Sequence, residues 1–341
     1  MTKVAINGFG RIGRSTLKII IKKFPNLEVV AINDLSEPHI LAHLLSYDTL
    51  YGVYENRAKA ADGYLYIDGV KKRGRKIPIY SEKDPSNLPW KELGVDIVLE
   101  CTGYFRDYEG AKKHIDAGAK KVIISAPSKE SDKINSYILG VNDDKLNLNK
   151  EDIVDMGSCT TNCLAPIAKS LNDSFGIDNG FMTTIHSYTN DQRLLDLPHS
   201  DLRRARAAAL NIIPTTTGAA KAIGKVIPAL DGKIDGISLR VPTPTVSVLD
   251  FFCNLKKETT REEINYLLKK DSQKDHFYGI LGVEDAHLVS SDYIGSSFSS
   301  VVDSYFTMAN GKAVKIIAWY DNEWGYAFRL AEFTNLISGQ L

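Results

Sequence analysis

The thiol best placed for covalent chemistry lies in Asp155-Met156-Gly157-Ser158-Cys159-Thr160-Thr161-Asn162-Cys163-Leu164-Ala165-Pro166. Apolar Ile153 and Val154 read as the end of a strand, and a helical pattern opens at Cys159 and runs towards Phe175. Cys159 is therefore expected where a helix N-terminus presents unpaired N–H groups, with Ser158 as the cap. That setting lowers a thiol's pKa and supplies thiolate near neutral pH. The alternative is a small buried cysteine at a strand–helix junction, and this stretch does not separate the two. Cys163 falls on the same helix face, but no second pair completes a tetrahedral site. It is expected to be a structural thiol, and no metal site is expected.

A covalent site needs a scaffold and a reaction partner, and the N-terminus supplies a candidate for both. Residues 4–7 are a short apolar strand followed at once by Gly8-Phe9-Gly10-Arg11-Ile12-Gly13. Residues 11–23 then carry a helical pattern and 27–32 a second strand, ending at Asn33-Asp34. The acid stands 21 residues beyond the last glycine. In that context Gly8, Gly10 and Gly13 permit a tight turn and close approach of backbone to a pyrophosphate. The helix end favours its charge, and Asp34 accepts from a ribose hydroxyl. A 2′-phosphate would meet the Asp34 carboxylate beside apolar Leu35, so NAD is expected over NADP.

Further strands are expected at 64–67, 77–80, 97–100 and 122–125, with a helix at 108–117. This alternation predicts an open, mainly parallel sheet. The basic run Lys71-Lys72-Arg73-Gly74-Arg75-Lys76 reads as a solvated hairpin turn, and His39 and His43 as surface or packing residues. After Cys159 the texture changes. Residues 183–189 read as a strand with His186 near its end, followed by a long irregular stretch over 190–211. Pro214-Thr215-Thr216-Thr217-Gly218 leads into a helix over 219–225, either an anion seat or simply a capped helix. Arg240 lies among apolar residues on a strand and calls for an anionic partner. Strands at 246–255 and 313–319 and helices at 261–270 and 326–337 complete the reading.

The chain has 341 residues, with 42 basic and 42 acidic side chains. Zero net charge favours neither nucleic acid nor an anionic membrane. Four cysteines make no disulfide framework, no run approaches a membrane span, and no charged leader precedes the first strand. A reducing cytoplasm is the expected setting.

Seven motifs in order carry a family resemblance. They are Ile6-Asn7-Gly8-Phe9-Gly10-Arg11-Ile12-Gly13-Arg14, Ser158-Cys159-Thr160-Thr161-Asn162-Cys163 and His186-Ser187-Tyr188-Thr189-Asn190-Asp191-Gln192, then the runs at 201–206, 214–221, 240–243 and 319–326. Over essentially its whole length the chain resembles phosphorylating glyceraldehyde-3-phosphate dehydrogenase. The resemblance implies an α/β protein with an N-terminal Rossmann domain and an α+β catalytic domain whose sheet is largely antiparallel. It places the first domain at 1–158, completed by a C-terminal helix at 324–341, and the second at 159–323.

By the same resemblance Cys159 is the nucleophile and His186 its base, passing through a thiohemiacetal and a thioester that phosphate then attacks. Thr189, Asp191 and Arg240 match the seat for the substrate's phosphate. Ser158, Thr160, Thr217 and Gly218 match the seat for inorganic phosphate, with Arg204 a further anion contact. Arg11, Ile12, Asp34, Ser125, Asn190 and Asn322 match NAD contacts, with Tyr326 beside the nicotinamide and Lys83 near the adenine. Leu35 and Pro198 resemble a pair that closes the adenosine site across a subunit interface, which implies a homotetramer. The sequence departs from the family pattern at Met156-Gly157, at Cys101 and Tyr104, and at Ala327-Phe328. Gly157 is expected to loosen the turn that aims Cys159, bearing on rate rather than reaction class. Erythrose-4-phosphate dehydrogenase and a non-catalytic NAD-binding protein are the alternatives.

Overall fold

A computed structural model describes residues 1–69 and 76–341. The chain forms two compact units. One comprises Met1–Tyr137, Lys145–Gly157 and Ala327–Leu341, and the other Ile138–Asp144 and Ser158–Tyr326.

The first unit is built on β1 (Thr2–Asn7), β2 (Leu27–Asn33), β3 (Ala58–Ala61), β4 (Tyr64–Ile67), β5 (Lys76–Tyr80), β6 (Ile97–Glu100), β7 (Lys121–Ile124) and β8 (Ile153–Asp155). They form one sheet in the order β8-β7-β6-β1-β2-β5-β4-β3. From β8 to β5 every pairing is parallel, while β5–β4 and β4–β3 are antiparallel. The continuous apolar runs in β1, β6 and β7 follow from burial on both faces. Strand order reverses at β1, which has β2 on one side and β6 on the other. That reversal opens a crease at the carboxyl ends of β1 and β6, where such sheets bind ligands. Helices α1 (Arg11–Lys23), α2 (Pro38–Ser46) and α3 (Tyr108–Asp116) connect the strands. The Asp107 carboxylate caps α3 by accepting from Gly110 N at 2.9 Å. His39 and His43 lie on α2, with the His43 ring 5.0 Å from that of Tyr47.

The second unit places α4 (Cys159–Phe175), α5 (Ala219–Val226) and α6 (Arg261–Ser272) against a second sheet. Its strands are β9 (Ile177–Ser187), β10 (Ile213–Thr216), β11 (Ile234–Val241), β12 (Ser247–Leu255), β13 (Leu281–Glu284), β14 (Ser300–Asp303), β15 (Met308–Asn310) and β16 (Ala313–Tyr320). The order is β10-β11-β9-β12-β16-β14-β13, with β15 also on β16. The pairs β9–β11 and β13–β14 are parallel and the others antiparallel. Alternation along β9 and β12 turns Met182, Leu249, Phe251 and Cys253 towards Leu164, Ile167 and Leu171 of α4 and Ile264 and Leu268 of α6. The opposite face leaves Phe181, Ile237 and Phe252 exposed. Helix α7 (Trp324–Ser338) belongs to the second unit as far as Tyr326 and to the first from Ala327.

Several elements differ from the sequence expectation. The strand read at 183–189 starts six residues earlier, at Ile177, and ends at Ser187. The one read at 246–255 starts at Ser247, because Val246 has a left-handed φ of 65°. Strands β3, β10, β13, β14 and β15 carried no clear alternating signal. In β11 that signal is interrupted by Gly236, where a Cβ would lie 2.2 Å from the Met182 carbonyl oxygen of neighbouring β9. Of the basic run at 71–76 only Lys76, on β5, falls within the described residues.

Candidate active site

Cys159 is the first residue of α4, and the Ser158 hydroxyl accepts from Thr161 N at 3.0 Å. No acid stands in the first turn, so the helix end is open to an anion. The imidazole of His186, near the end of β9, brings Nε2 to 3.5 Å from the Cys159 sulfur. Its Nδ1 lies 2.7 Å from the Ser187 carbonyl, which can only accept. Nδ1 therefore carries the proton and the Nε2 lone pair faces the thiol. Arg240 is opposite His186 in the parallel β9–β11 register. Its Nη1 sits 2.8 Å from Nδ1, a contact of two donors, and bonds instead to the Ser187 carbonyl at 3.1 Å and Thr189 Oγ1 at 3.3 Å. Among the described residues buried Arg240 Nε has no hydrogen-bond partner.

The irregular 190–211 stretch folds back on β10. Arg204 Nε donates to Thr215 Oγ1 at 2.9 Å, and Arg204 Nη1 meets the Asp191 carboxylate at 2.6 Å. The Thr189 hydroxyl also bonds Asp191. Burial acts to raise the Asp191 pKa, but the Thr189 hydroxyl and the Arg240 and Arg204 cations outweigh it and hold the carboxyl below its usual range. Thr189, Asp191, Arg204 and Arg240 are thus one connected cluster against His186. Thr217 and Gly218 stand apart from it, at the start of α5, where Thr217 Oγ1 accepts from Ala219 N at 3.2 Å.

The thiol itself corrects the sequence reading. Burial raises the Cys159 pKa above its ordinary value, against the downward pull of Arg240 and Thr160. The helix end alone does not decide the outcome, because surrounding protein removes water from the anion. Burial and the Arg240 cation also push His186 down to about 3. The pair is a thiol facing a neutral imidazole, rather than thiolate and imidazolium.

Tyr320 was not assigned a role from sequence. Its buried hydroxyl bridges Thr160 Oγ1 at 2.8 Å and Thr184 Oγ1 at 2.7 Å, and its ring meets His186 edge-on at 6.1 Å. The inward parity of the 313–320 alternation was the available signal. Ser247 was also missed. It accepts from Ser187 N and donates to the Asn322 carboxamide at 3.0 Å, orienting Asn322 from the strand end that carries His186. Asn190, Asn322 and Tyr326 belong to this second unit, Asn322 and Tyr326 being buried.

In the first unit a cavity of about 480 Å³ opens at the crease, lined among others by Gly8, Gly10, Asp34, Leu35, Lys83 and Thr102. Gly8 has φ 92°, and a Cβ there would lie 2.7 Å from Cys101 C and Thr102 N. A Cβ on Gly13 would lie 2.3 Å from the Gly8 carbonyl oxygen, whereas one on Gly10 would meet open space. The three glycines therefore close a turn, pack a helix and leave a cradle. Asp34 accepts Phe9 N at 2.7 Å and Ser36 N at 2.9 Å, one on each oxygen, so each keeps a lone pair for a hydroxyl. The Arg11 guanidinium is directed to Asp48 at 2.6 Å and over the Tyr51 ring, leaving its contribution to an anion at the first turn of α1 to the backbone. Ile12 shares that turn, and Ser125 follows β7, its N–H on the Glu100 carbonyl at 2.9 Å. Among the described residues no cluster of three His, Cys, Asp or Glu could hold a metal ion.

The chain matches two family profiles. Residues 2–108 match "Glyceraldehyde 3-phosphate dehydrogenase, NAD binding domain", and 158–322 match "Glyceraldehyde 3-phosphate dehydrogenase, C-terminal domain". It is 54% identical to glyceraldehyde-3-phosphate dehydrogenase of Borreliella burgdorferi over 97% of this chain and 98% of that one. It is 51% identical to the enzyme of Geobacillus stearothermophilus, over 99% and 98%. It is 50% identical to glyceraldehyde-3-phosphate dehydrogenase 1 of Bacillus subtilis, over 98% of each. With the glycine crease in one unit and the paired thiol and imidazole in the other, the chain belongs to the glyceraldehyde-3-phosphate dehydrogenase family.

Proposed function

We propose that this NAD-dependent dehydrogenase converts D-glyceraldehyde 3-phosphate and inorganic phosphate to 1,3-bisphosphoglycerate through a thioester on Cys159. The observation that carries the reading is the Nε2 lone pair of neutral His186 aimed at the Cys159 sulfur. As sulfur adds to the aldehyde carbon, Nε2 takes the thiol proton and returns it to the carbonyl oxygen, giving a thiohemiacetal. NAD, when bound in the glycine cradle by Asp34 and the first turn of α1, supplies the hydride acceptor. Nε2 takes the hydroxyl proton at that oxidation and leaves a thioester. Phosphate oxygen attacks the thioester carbon, the C–S bond breaks, and the thiolate recovers the proton from His186. Held neutral by burial and the Arg240 cation, the imidazole keeps its Nε2 lone pair free to accept a proton.

Arg240 supports binding of the substrate's phosphate with Thr189 and Asp191, and Arg204 offsets the Asp191 charge. Ser158, Thr160, Thr217 and Gly218 form the seat for inorganic phosphate at two helix N-termini. The cofactor-binding residues in this reading are Gly8, Gly10, Gly13, Arg11, Ile12, Asp34, Lys83, Ser125, Asn190, Asn322 and Tyr326. In this reading residues 1–158 with 324–341 are the NAD-binding domain, and 159–323 the catalytic domain.

A homotetramer is supported by the apolar side chains that the second unit leaves in water. Leu194 is 79% exposed, Leu202 83% and Leu210 78%, alongside Phe181 and Ile237 on the outer sheet face. Sedimentation at micromolar concentration tests that assignment. A cytoplasmic setting fits four free cysteines and the absence, among the described residues, of any helix long and apolar enough to cross a membrane.

The test of the reaction is NADH formation from glyceraldehyde 3-phosphate and NAD, with and without phosphate. Sustained turnover requires phosphate, and a single burst appears without it. Turnover indifferent to phosphate would favour the hydrolytic, erythrose-4-phosphate type of reaction instead.

A further inference from the structure

Beneath the crease lies a buried polar network that the reaction described above does not use. Glu100 ends β6, Asn7 ends β1 and Asn33 ends β2, and the register places Asn7 beside both of the others. Glu100 is 1% exposed and His114, on α3, is 0% exposed.

The direction of each hydrogen bond in this network is fixed from its two ends. At one end, Asn33 accepts Glu82 N at 2.8 Å and donates to the Glu82 carbonyl at 2.9 Å, which sets its amide. Asn33 Nδ2 then donates to Asn7 Oδ1 at 2.7 Å, so Asn7 Nδ2 must be the group that donates to Glu100 Oε2 at 2.5 Å. At the other end, the Trp90 indole N–H can only donate, and it lies 3.0 Å from His114 Nδ1. His114 therefore carries its proton on Nε2 and donates to the same Glu100 oxygen at 3.2 Å. The second carboxylate oxygen accepts Thr102 N at 2.8 Å and the Thr102 hydroxyl. Donors arrive at Glu100 from every side and none leaves.

We propose that Glu100 is a positioning residue for nucleotide binding, the acceptor on which both chains of donors end. The inference rests on the reading of the adjoining cavity as the NAD site. Asn7, Asn33, Glu82 and Thr102 line that cavity, and each is tied to Glu100 directly or through one or two neighbours. Only a carboxylate accepts on both oxygens. A glutamine must turn its amide either towards Asn7 and His114 or towards Thr102, opposing donor to donor in a buried place. The Thr102 hydroxyl can rotate to accept while the donors of Asn7 and His114 are fixed, so the amide turns towards Thr102. The misfit with Thr102 N then falls on the 102–104 turn that forms the cavity wall.

The experiment is calorimetric titration of NAD into cofactor-free wild type, Glu100→Gln, and a double variant that combines Asn7→Asp with Glu100→Gln. Melting temperature and the rate of Cys159 alkylation without NAD are measured on each. In the double variant the amide introduced at position 100 donates to the carboxylate introduced at position 7. That carboxylate still accepts from Asn33, and the formal charge is that of wild type. Its position, 3.3 Å from His114 Nε2, also lets it take the proton donor that Glu100 accepted in wild type. The expected result is NAD binding weakened roughly tenfold in Glu100→Gln at unchanged alkylation rate, with a partial recovery of several-fold in the double variant. A rescue that restores bond direction is not expected of a residue that merely fills space. NAD affinity equal to wild type in Glu100→Gln, or loss without recovery in the double variant, overturns the proposal. If Glu100→Gln does not fold, a folded, NAD-binding double variant supports it, and failure of both overturns it. Wild type that binds no NAD would remove the cofactor reading, and this inference with it.

Discussion

Helices α4 and α6 open with the same device and continue differently. Ser158 caps α4 by accepting Thr161 N at 3.0 Å, and Thr260 caps α6 by accepting Glu263 N at 3.2 Å. In α6 the Glu263 carboxylate reaches back to Thr260 N, and Glu262 joins it in the first turn. Both acids answer the positive helix end, so α6 is complete in itself. The first turn of α4 holds Cys159, Thr160 and Thr161 and no acid, and α5, which Thr217 and its N-cap Gly218 precede, likewise has none. The start of α7 also lacks an acid in its first turn, but there the Asp321 carboxylate accepts Glu323 N and Trp324 N. The ends of α4 and α5 have no such answer from an acid and are the ones assigned to the nucleophile and to phosphate. A functional helix end is recognised here by what its sequence withholds.

The comparison is tested most severely at Cys159. Cys159→Ser keeps the cap, the helix and the shape of the pocket but replaces the thiol with a far weaker nucleophile. Turnover should fall by about 10³-fold or more while the melting temperature stays close to that of wild type. Retention of phosphate-dependent turnover in this variant would mean that the open end of α4 serves something other than covalent catalysis.

Arg240→Gln should be the next largest. Removing the guanidinium from the cluster of Thr189, Asp191 and Arg204 takes away a charge-assisted contact to the substrate's phosphate. KM for the phosphorylated aldehyde is expected to rise by about 100-fold. Arg240 also pulls the Cys159 thiol down and pushes His186 down, so its loss raises both. The pH profile of Cys159 alkylation should accordingly move to higher pH. A KM effect without that movement would separate the phosphate role from the electrostatic one.

How much of this was open to reading from the chain follows the range of the forces involved. The capped start of α4, the three glycines and Asp34 are local patterns, set within a turn or a βαβ unit, and each was legible. Arg240 could be seen to need an anion, but its place beside His186 depends on β9 pairing in parallel with β11, 54 residues away. Tyr320 and the convergence on Glu100 are likewise products of strand order. The sign of the Cys159 shift was misread for the same reason. The helix end is local and the desolvation that outweighs it is not.

Desolvation also gives the active site a response to acid. His186 is held neutral, with its pKa lowered to about 3. Between that value and the ordinary histidine range the unfolded chain binds a proton that the folded one refuses. This contribution to stability is fully present above about pH 6.5 and falls as pH drops towards 3. At pH 5 the loss is about 2 kcal/mol relative to neutrality. Denaturant unfolding of wild type and His186→Gln at pH 7 and pH 5 should show the variant losing correspondingly less. Equal losses in the two proteins would mean that His186 is not held neutral.

The smallest effects come from the caps, and they address the opening comparison directly. Ser158→Ala and Thr260→Ala each delete one side-chain acceptor at a helix N-terminus, and each should cost about 1 kcal/mol of stability in denaturant unfolding. Stability alone would not tell them apart. At α6 the effect should end there, since its first turn serves only the helix. At α4 the freed Thr161 N–H loosens the turn that holds the Cys159 sulfur towards His186, so alkylation and turnover should fall severalfold as well. Equal alkylation rates in the two variants, at equal loss of stability, would reduce Ser158 to an ordinary cap and leave the open helix end without a part in aiming the thiol.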